Sequence, residues 1–455
     1  MVSESKIFLF FLWVGSIFLL SSRFLIDLST PMIAFPGWFL VLGIATGSLV
    51  LIYYLYIMCC LFFYKPYRST TDSSIPRCTV IVPAYNEGKH VAETLKSLLA
   101  SDYPADRLEI IAVDDGSVDD TFYWINEIAK TAPDRISVIR FEKNRGKKHG
   151  LYIGFLKSRS DIVVTVDSDT VLESDTLKQL TAPFSDSEVG GVAGNIRVKN
   201  LKSGCLPKMM DIGFLFGFDV IRSAQSITGC VMCTPGALSA YRKSIVLPFL
   251  EEWLNQKFLG VPATIGEDRA IATMILQRDK KIVFQQNAVA YTCIPAGYRQ
   301  FSKMLIRWTR SDIRENFIMF LHAFRRFQLC HRQIGLQCHI LFQCLNTLLP
   351  GIFLLMLPGF LFSGPEIFLN LLYVSVAGAC ISALIPVFLY AVRVSFLSSV
   401  WGIVFAVFNI FFLSWIVPFS FVTLRNSSWL TRSAVQKKIM PCRKERVKNT
   451  QNCIG

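Results

Sequence analysis

The chain has 455 residues, 52% of them hydrophobic, and a formal net charge of +14. Its 13 cysteines are odd in number and scattered without a regular framework, which excludes a disulfide-stapled secreted scaffold and suits a reducing compartment. So basic a chain raises nucleic-acid binding, but no recognition motif accompanies the charge and much of it sits beside apolar segments, so nucleic acid is set aside as a partner.

Mean hydropathy is +0.43, and five apolar segments account for most of that excess. The first two are Ile7 to Ile26 and Trp38 to Tyr64, close to the roughly 20 residues that cross a bilayer. Arg23 interrupts the first, yet no small-residue cleavage site is evident, so it reads as a retained span rather than a signal peptide. The polar stretch Ser69 to Ser74 then leads into a region of ordinary, soluble-like composition.

There, short β-rich runs alternate with helix-like stretches, the pattern of a doubly wound α/β sheet. Cys78 to Pro83 leads into Ala84-Tyr-Asn-Glu-Gly88, with a helix from about Lys89 to Ala100. Leu108 to Val113 leads into Asp114-Asp-Gly-Ser117, with a helix from Asp119 to Lys130. Ile136 to Arg140 leads into Asn144-Arg-Gly-Lys-Lys-His-Gly150, with a helix from Gly150 to Ser158. The next run ends in Asp167-Ser-Asp169. Ligands of open α/β sheets bind beyond the carboxyl ends of the strands, so these polar strand ends converge on one crevice.

The residue types there suit a nucleoside diphosphate. An aromatic face and carboxylates suit a base and ribose, Gly with Lys147 suits phosphates, and Asp167 with Asp169 suits Mg²⁺ or Mn²⁺ bridging a diphosphate. An isolated Asp-x-Asp after a strand is more often turn chemistry, so the pair draws its weight from its neighbours. Neither a P-loop nor a Gly-x-Gly-x-x-Gly fingerprint is present, which favours a sugar donor over a hydrolysed triphosphate or redox cofactor. Cys230-Val-Met-Cys233 has metal-like spacing, but no second pair accompanies it.

From Cys78 to about Asn316 the chain resembles the membrane-embedded processive family 2 glycosyltransferases, a group that includes hyaluronan, chitooligosaccharide and chitin synthases. The resemblance implies a GT-A type (Rossmann-like, mostly parallel sheet) cytosolic domain inserted between transmembrane helices. It implies uridine binding by Pro83-Ala-Tyr-Asn-Glu87 and Asp114-Asp-Gly-Ser117, hence Tyr85, Glu87 and Asp115, with a diphosphate loop at Asn144-Arg-Gly-Lys147 and metal ligation by Asp167 and Asp169. Gly266-Glu-Asp-Arg269 is similar to the element whose final Asp is the general base, here Asp268. Ile306-Arg-Trp308 resembles the Gln-x-x-Arg-Trp element, which gives Arg307 a diphosphate role and Trp308 an acceptor role. That element's Gln falls at Met304, with Gln300 a helical turn away, and Thr234-Pro-Gly-Ala237 replaces the Ser-Gly-Pro-Leu of hyaluronan-type enzymes.

The stretch Tyr298 to Phe320 mixes Arg, Trp and aliphatic residues as an amphipathic helix in a membrane interface would. Beyond it, His339 to Phe362, Ile367 to Tyr390 and Phe396 to Leu424 read as further spans, the last broken at Pro418. The expected organisation is two transmembrane helices in 1–68, a cytosolic glycosyltransferase domain in 69–297, interface helices in 298–335, about three spans in 336–424 and a basic tail in 425–455. Lys and Arg cluster from Arg299 to Arg332 and from Arg425 onward, as expected of cytoplasmic membrane-surface contacts. The function so expected is transfer from a UDP-sugar donor, UDP-GlcNAc alone or with UDP-GlcA, to a growing glycan acceptor that is exported. The location is the plasma or bacterial inner membrane, with lipid as a partner. The alternative is single transfer to a lipid-linked acceptor.

Overall fold

A computed structural model of the chain describes residues 37–69, 75–325, 330–363 and 365–426. The first expected span, Ile7 to Ile26, and the basic tail from 427 lie outside the described residues. Helix α1 (Gly37–Phe63) leads into β1 (Cys78–Ala84), α2 (His90–Leu99), β2 (Leu108–Asp114), α3 (Thr121–Thr131), β3 (Ile136–Arg140), α4 (Lys147–Lys157) and β4 (Ile162–Val166). These strands are runs of Val, Ile and Ala, and β1 and β4 are buried at every position, as parallel strands covered on both faces must be. Pro83, which has no N–H to donate, is tolerated as the second-last residue of β1.

Four further strands widen the sheet: β5 (Val171–Leu172), β6 (Val189–Val198), β7 (Leu238–Arg242) and, after a separate small hairpin of β8 (Lys257–Phe258) and β9 (Val261–Pro262), β10 (Lys281–Thr292). The order is β3-β2-β1-β4-β7-β6-β10-β5. β1 to β4 are mutually parallel, whereas β7 runs antiparallel to both β4 and β6, so the sheet is mixed. Just before α3, Asp119 Oδ1 accepts from Thr121 N at 3.0 Å.

Between β6 and β7 runs α5 (Cys205–Phe216), continued by a π-helical turn, Gly217–Arg222. Helix α6 (Glu267–Gln277) precedes β10; α7 (Tyr298–Arg325), α8 (His331–Ser363), α9 (Pro365–Arg393), α10 (Phe396–Phe408) and α11 (Ile416–Val422) follow it. Two carboxylates fasten α9 to the α5 segment. Tyr390 OH donates to Asp211 Oδ2 at 2.9 Å, and Asp219 Oδ2 meets Arg393 Nη1 at 2.9 Å and Arg197 Nη2 at 2.7 Å.

Among the described residues, Ser375–Arg393 and Phe396–Leu413 are long and apolar enough to cross a membrane, and Gly47–Phe63 is apolar but shorter. The break expected at Pro418 lies earlier, at a π-helical turn over Asn409–Leu413 and the residues just after it. Pro418 sits in the first turn of α11, where a missing N–H costs no helical hydrogen bond.

Candidate active site

The order β3-β2-β1-β4 reverses between β1 and β4, and a crevice opens at their carboxyl ends. After β1, Asn86 adopts a φ of 53° and fastens the turn that bears Tyr85 and Glu87. Its N–H donates to Ser117 Oγ at 3.0 Å, and its Oδ1 accepts from Val118 N at 2.9 Å. Asp115 accepts from Arg145 N at 2.7 Å and Gly146 N at 2.8 Å. Part of what Asp114-Asp-Gly-Ser117 encodes is therefore an anchor for the loop that delivers Lys147.

That anchor moves a helix boundary. The sequence places the start of α4 at Gly150, whereas the helix begins at Lys147. Gly146 at its N-cap takes a φ of 93°, and Asp115, some 30 residues away in sequence, holds the two preceding N–H groups. Lys147 Nζ then bridges Asp167 Oδ1 at 2.5 Å and Glu267 Oε1 at 2.8 Å. Burial opposes its charge, but Asp167, Glu267 and Asp268 together hold the ammonium well above its ordinary pKa.

The carboxylates opposite come from the start of α6. Gly266 has a left-handed φ of 71°, and a Cβ there would collide with Ser311 of α7. Asp268 Oδ1 accepts from Arg269 N at 2.8 Å and Oδ2 from Gly236 N at 2.9 Å. Burial, with the adjacent Glu267 charge, raises its carboxyl to about 6, although Lys147 and the two N–H groups oppose the rise. Burial acts against ionised Glu267 too, but Lys147 outweighs it and holds that carboxyl low. Gly236 is packed so tightly here that a Cβ would sit 2.7 Å from Lys147 Nζ.

Helix α7 supplies the remaining wall. Trp308 lies 6.3 Å from Phe214 between ring centroids, tilted by 30°. Met304 is buried and lines the cavity, whereas Gln300 is exposed. On the same face, Ser311 abuts Gly266 and Arg314 Nη2 donates to Ile265 O at 2.7 Å, so the spacing 307, 311, 314 places one helical stripe against both the cavity and the loop before Asp268. Arg269 is enclosed by Asp312 at 2.7 Å and Gln343 of α8 at 2.7 Å. The expectation of an interfacial helix with outward arginines is corrected for two of them: Arg310 and Arg314 are buried, and Arg310 Nη2 donates to Thr423 at 2.7 Å. Protein carbonyls, hydroxyls and carboxylates take the place of lipid headgroups.

One cavity of about 490 Å³ joins these parts. Tyr85, Glu87, Asp115, Lys147, Asp167 and Asp169 line it from the strand side, and Asp268, Arg307 and Trp308 from the helix side. Among the described residues no group of three His, Cys, Asp or Glu side chains could hold a metal by itself. Asp167 and Asp169 supply two carboxylates, as many as Mg²⁺ or Mn²⁺ commonly takes when substrate phosphates and water complete its shell, so the donor set fits such an ion. Glu267 and the Gly236 N–H were not singled out by sequence reasoning. Glu267 is legible as the acidic neighbour of Asp268 at a helix start, whereas a backbone donor leaves no signal in residue types.

A mixed sheet with this strand order, an Asp-x-Asp at the reversal and a buried carboxylate across the same cavity define a GT-A type glycosyltransferase domain. Residues 79–247 match the glycosyl transferase family 2 model, so this part of the chain is similar to that family. Hyaluronan synthase of Streptococcus pyogenes is 35% identical over 277 residues, 60% of this chain and 65% of the synthase, so the match spans less than two thirds of that relative. An N-acetylglucosaminyltransferase of Azorhizobium caulinodans is 29% identical over 365 residues, 79% of this chain and 88% of the relative. Among solved structures, a mannosyltransferase from Pyrobaculum calidifontis in complex with GDP-Man and Mn²⁺ superposes with a TM-score of 0.59 at 24% identity, covering 82% of this chain and 97% of the other, a likeness of fold.

Proposed function

We propose that the chain is a membrane-integrated inverting glycosyltransferase that elongates and exports a glycan of hyaluronan or chitin type from UDP-GlcNAc, alone or with UDP-GlcA. The observation that carries this reading is the single cavity that brings the Asp167/Asp169 pair, the buried Asp268 and the Arg307-Trp308 pair within reach of one bound donor and acceptor. The apolar stretches Ser375–Arg393 and Phe396–Leu413, continuous with the helices that pack on the cavity wall, support the membrane half. The catalytic domain faces the cytosol in this reading, where UDP-sugars are made.

In the reaction, an acceptor hydroxyl oxygen attacks the anomeric carbon from the side opposite the diphosphate. The carbon–oxygen bond to the diphosphate breaks, UDP leaves with the bonding pair, and the hydroxyl proton passes to Asp268, whose raised pKa makes it a competent base near neutral pH. Lys147 and Arg307 place positive charge against the departing diphosphate. Tyr85, Glu87 and Asp115 surround the nucleoside, and Trp308 with Phe214 offers apolar faces to an acceptor ring. Asp167 and Asp169 would hold a Mg²⁺ or Mn²⁺ ion, which supplies further neutralisation of the leaving group when bound.

The test is to incubate purified protein in lipid vesicles with each radiolabelled UDP-sugar, singly and paired, with Mg²⁺, Mn²⁺ or chelator, and to size the product. Polymer from UDP-GlcNAc alone identifies a chitin-type product and a strict need for two donors a hyaluronan-type one. Label extracted only into organic solvent replaces this reading with transfer to a lipid-linked acceptor.

A further inference from the structure

The cations facing the cavity are not equally matched by anions of the chain. Lys147 has Asp167 and Glu267, and Arg269 has Asp312. Arg222, at the end of the π-helical turn Gly217–Arg222, has no carboxylate at salt-bridge distance among the described residues. Its Nε donates to Cys233 O at 3.3 Å, and its guanidinium lies over the Phe218 ring, 3.7 Å from the centroid. No hydrogen bond from the described residues reaches its two Nη atoms. Asp268 is near enough to stabilise the positive charge but spends both oxygens on the N–H groups of Gly236 and Arg269. Arg222 is partly buried in the cavity wall, and that enclosure works against its charge until an anion joins it.

The position of Arg222 indicates which ligand brings that anion. The helix that precedes it carries Phe214 against Trp308, and Cys233, whose carbonyl it touches, lines the cavity close to Asp268. Arg222 therefore belongs to the wall shared with the base and the aromatic pair, not to the strand ends where Lys147 meets Asp167. A guanidinium presents parallel N–H donors that match the oxygens of a carboxylate or phosphate, and a neutral hydroxyl does not return the cost of burying the charge.

We propose that Arg222 forms an anion subsite for the acceptor, receiving an oxyanion carried by the molecule onto which the sugar is transferred. Two sources share that chemistry: the carboxylate of a uronic acid residue in a growing glycan, and the phosphate of a lipid-linked acceptor. The proposal rests on the glycosyltransferase reading above and narrows it, because a chain built only of neutral sugars offers Arg222 no partner.

The experiment compares full-length wild type, Arg222→Gln and Arg222→Lys in vesicles. Three acceptors are extended: a neutral chitooligosaccharide, an oligosaccharide of equal length ending in a uronate, and a polyprenyl phosphate. The readout is the ratio of kcat/KM for each anionic acceptor to that for the neutral one, with UDP affinity measured by calorimetry on the same preparations. Wild type should prefer one anionic acceptor, and Arg222→Gln should reduce that preference by about 30-fold, the scale for truncating one partner of a buried charge pair, with Arg222→Lys retaining part of it. Preference for the uronate places the anion in the glycan, and preference for the polyprenyl phosphate places it in the lipid. An unchanged ratio in Arg222→Gln overturns the proposal, as does a loss of UDP affinity equal to the loss in ratio, which would move Arg222 to the donor side. Absence of transfer by wild type from any UDP-sugar would instead overturn the underlying reading, and the proposal with it.

Discussion

The strand side and the helix side of the cavity are made of different material. Tyr85, Asp115 and Asp167 follow strands whose register is set by continuous ladders, β1 against β2 over seven residue pairs, so their positions are inherited from the sheet. Asp268, Arg307 and Trp308 stand on helices whose placement depends on contacts between distant segments: Ser311 against Gly266, Arg314 on Ile265 O, Arg269 on Gln343. The difference teaches where each kind of damage should appear. Changes on the strand side should weaken donor binding, and changes at Asp268 and the loop that bears it should slow transfer while leaving the donor bound; Arg307, which faces the diphosphate from the helix side, belongs with the donor contacts.

The largest effect that tests this division is expected from Asp268→Asn. Transfer measured with radiolabelled donor should fall by about 10²–10⁴, the range for losing a general base, while UDP affinity by calorimetry stays within about twofold. An equal loss of affinity would erase the division. Gly266→Ala should come next: the left-handed backbone and the collision with Ser311 displace the Asp268 loop, and a misplacement of about 1 Å costs roughly 10²-fold in kcat. UDP binding should survive this change too, and a collapse of binding would show that the two walls move as one body.

Asp169→Asn tests the other side. It should weaken UDP binding in Mg²⁺ or Mn²⁺ by about tenfold, the lower end for losing one group that supports a metal, with no difference from wild type in chelator. Unchanged binding in metal would remove Asp169 from the ligand set. The smallest effect concerns pH. A base must be deprotonated, so kcat/KM should rise as pH rises through about 6, the value to which burial and Glu267 raise Asp268. Lys147 opposes that rise, so Lys147→Gln should carry the acid limb to higher pH; a limb that stays put would separate Lys147 from the base electrostatically. Glu267, Arg222, Arg269 and Cys233 also lie around Asp268 and remain in both proteins.

The same division explains how much could be read in the amino-acid order. Strand–loop motifs such as Val82-Pro-Ala-Tyr-Asn-Glu87 announce themselves, because a buried strand and the polar residues after it are contiguous, and the four parallel strands were legible for that reason. The antiparallel entry of β7 between β4 and β6 was not, since it depends on which segments meet after the α5 excursion. The helix start at Lys147 was missed because Asp115 sets it from a distance. The Lys/Arg cluster from Arg299 to Arg332 was read as membrane-surface charge as a whole, and composition does not single out Arg310 and Arg314, which find Thr423 and Ile265 inside the fold. The Asp-x-Asp, Gly-Glu-Asp-Arg and Arg-Trp elements were visible as residue types, but their meeting around one cavity is a property of the folded chain alone.

Helix α7 bears Arg307 into the cavity and, one and two turns on, Ser311 and Arg314 against the loop before Asp268. A rigid rod cannot retract one of these without shifting the others. A displacement of the helix that withdrew Arg307 from the cavity would therefore also shift the loop that carries Asp268.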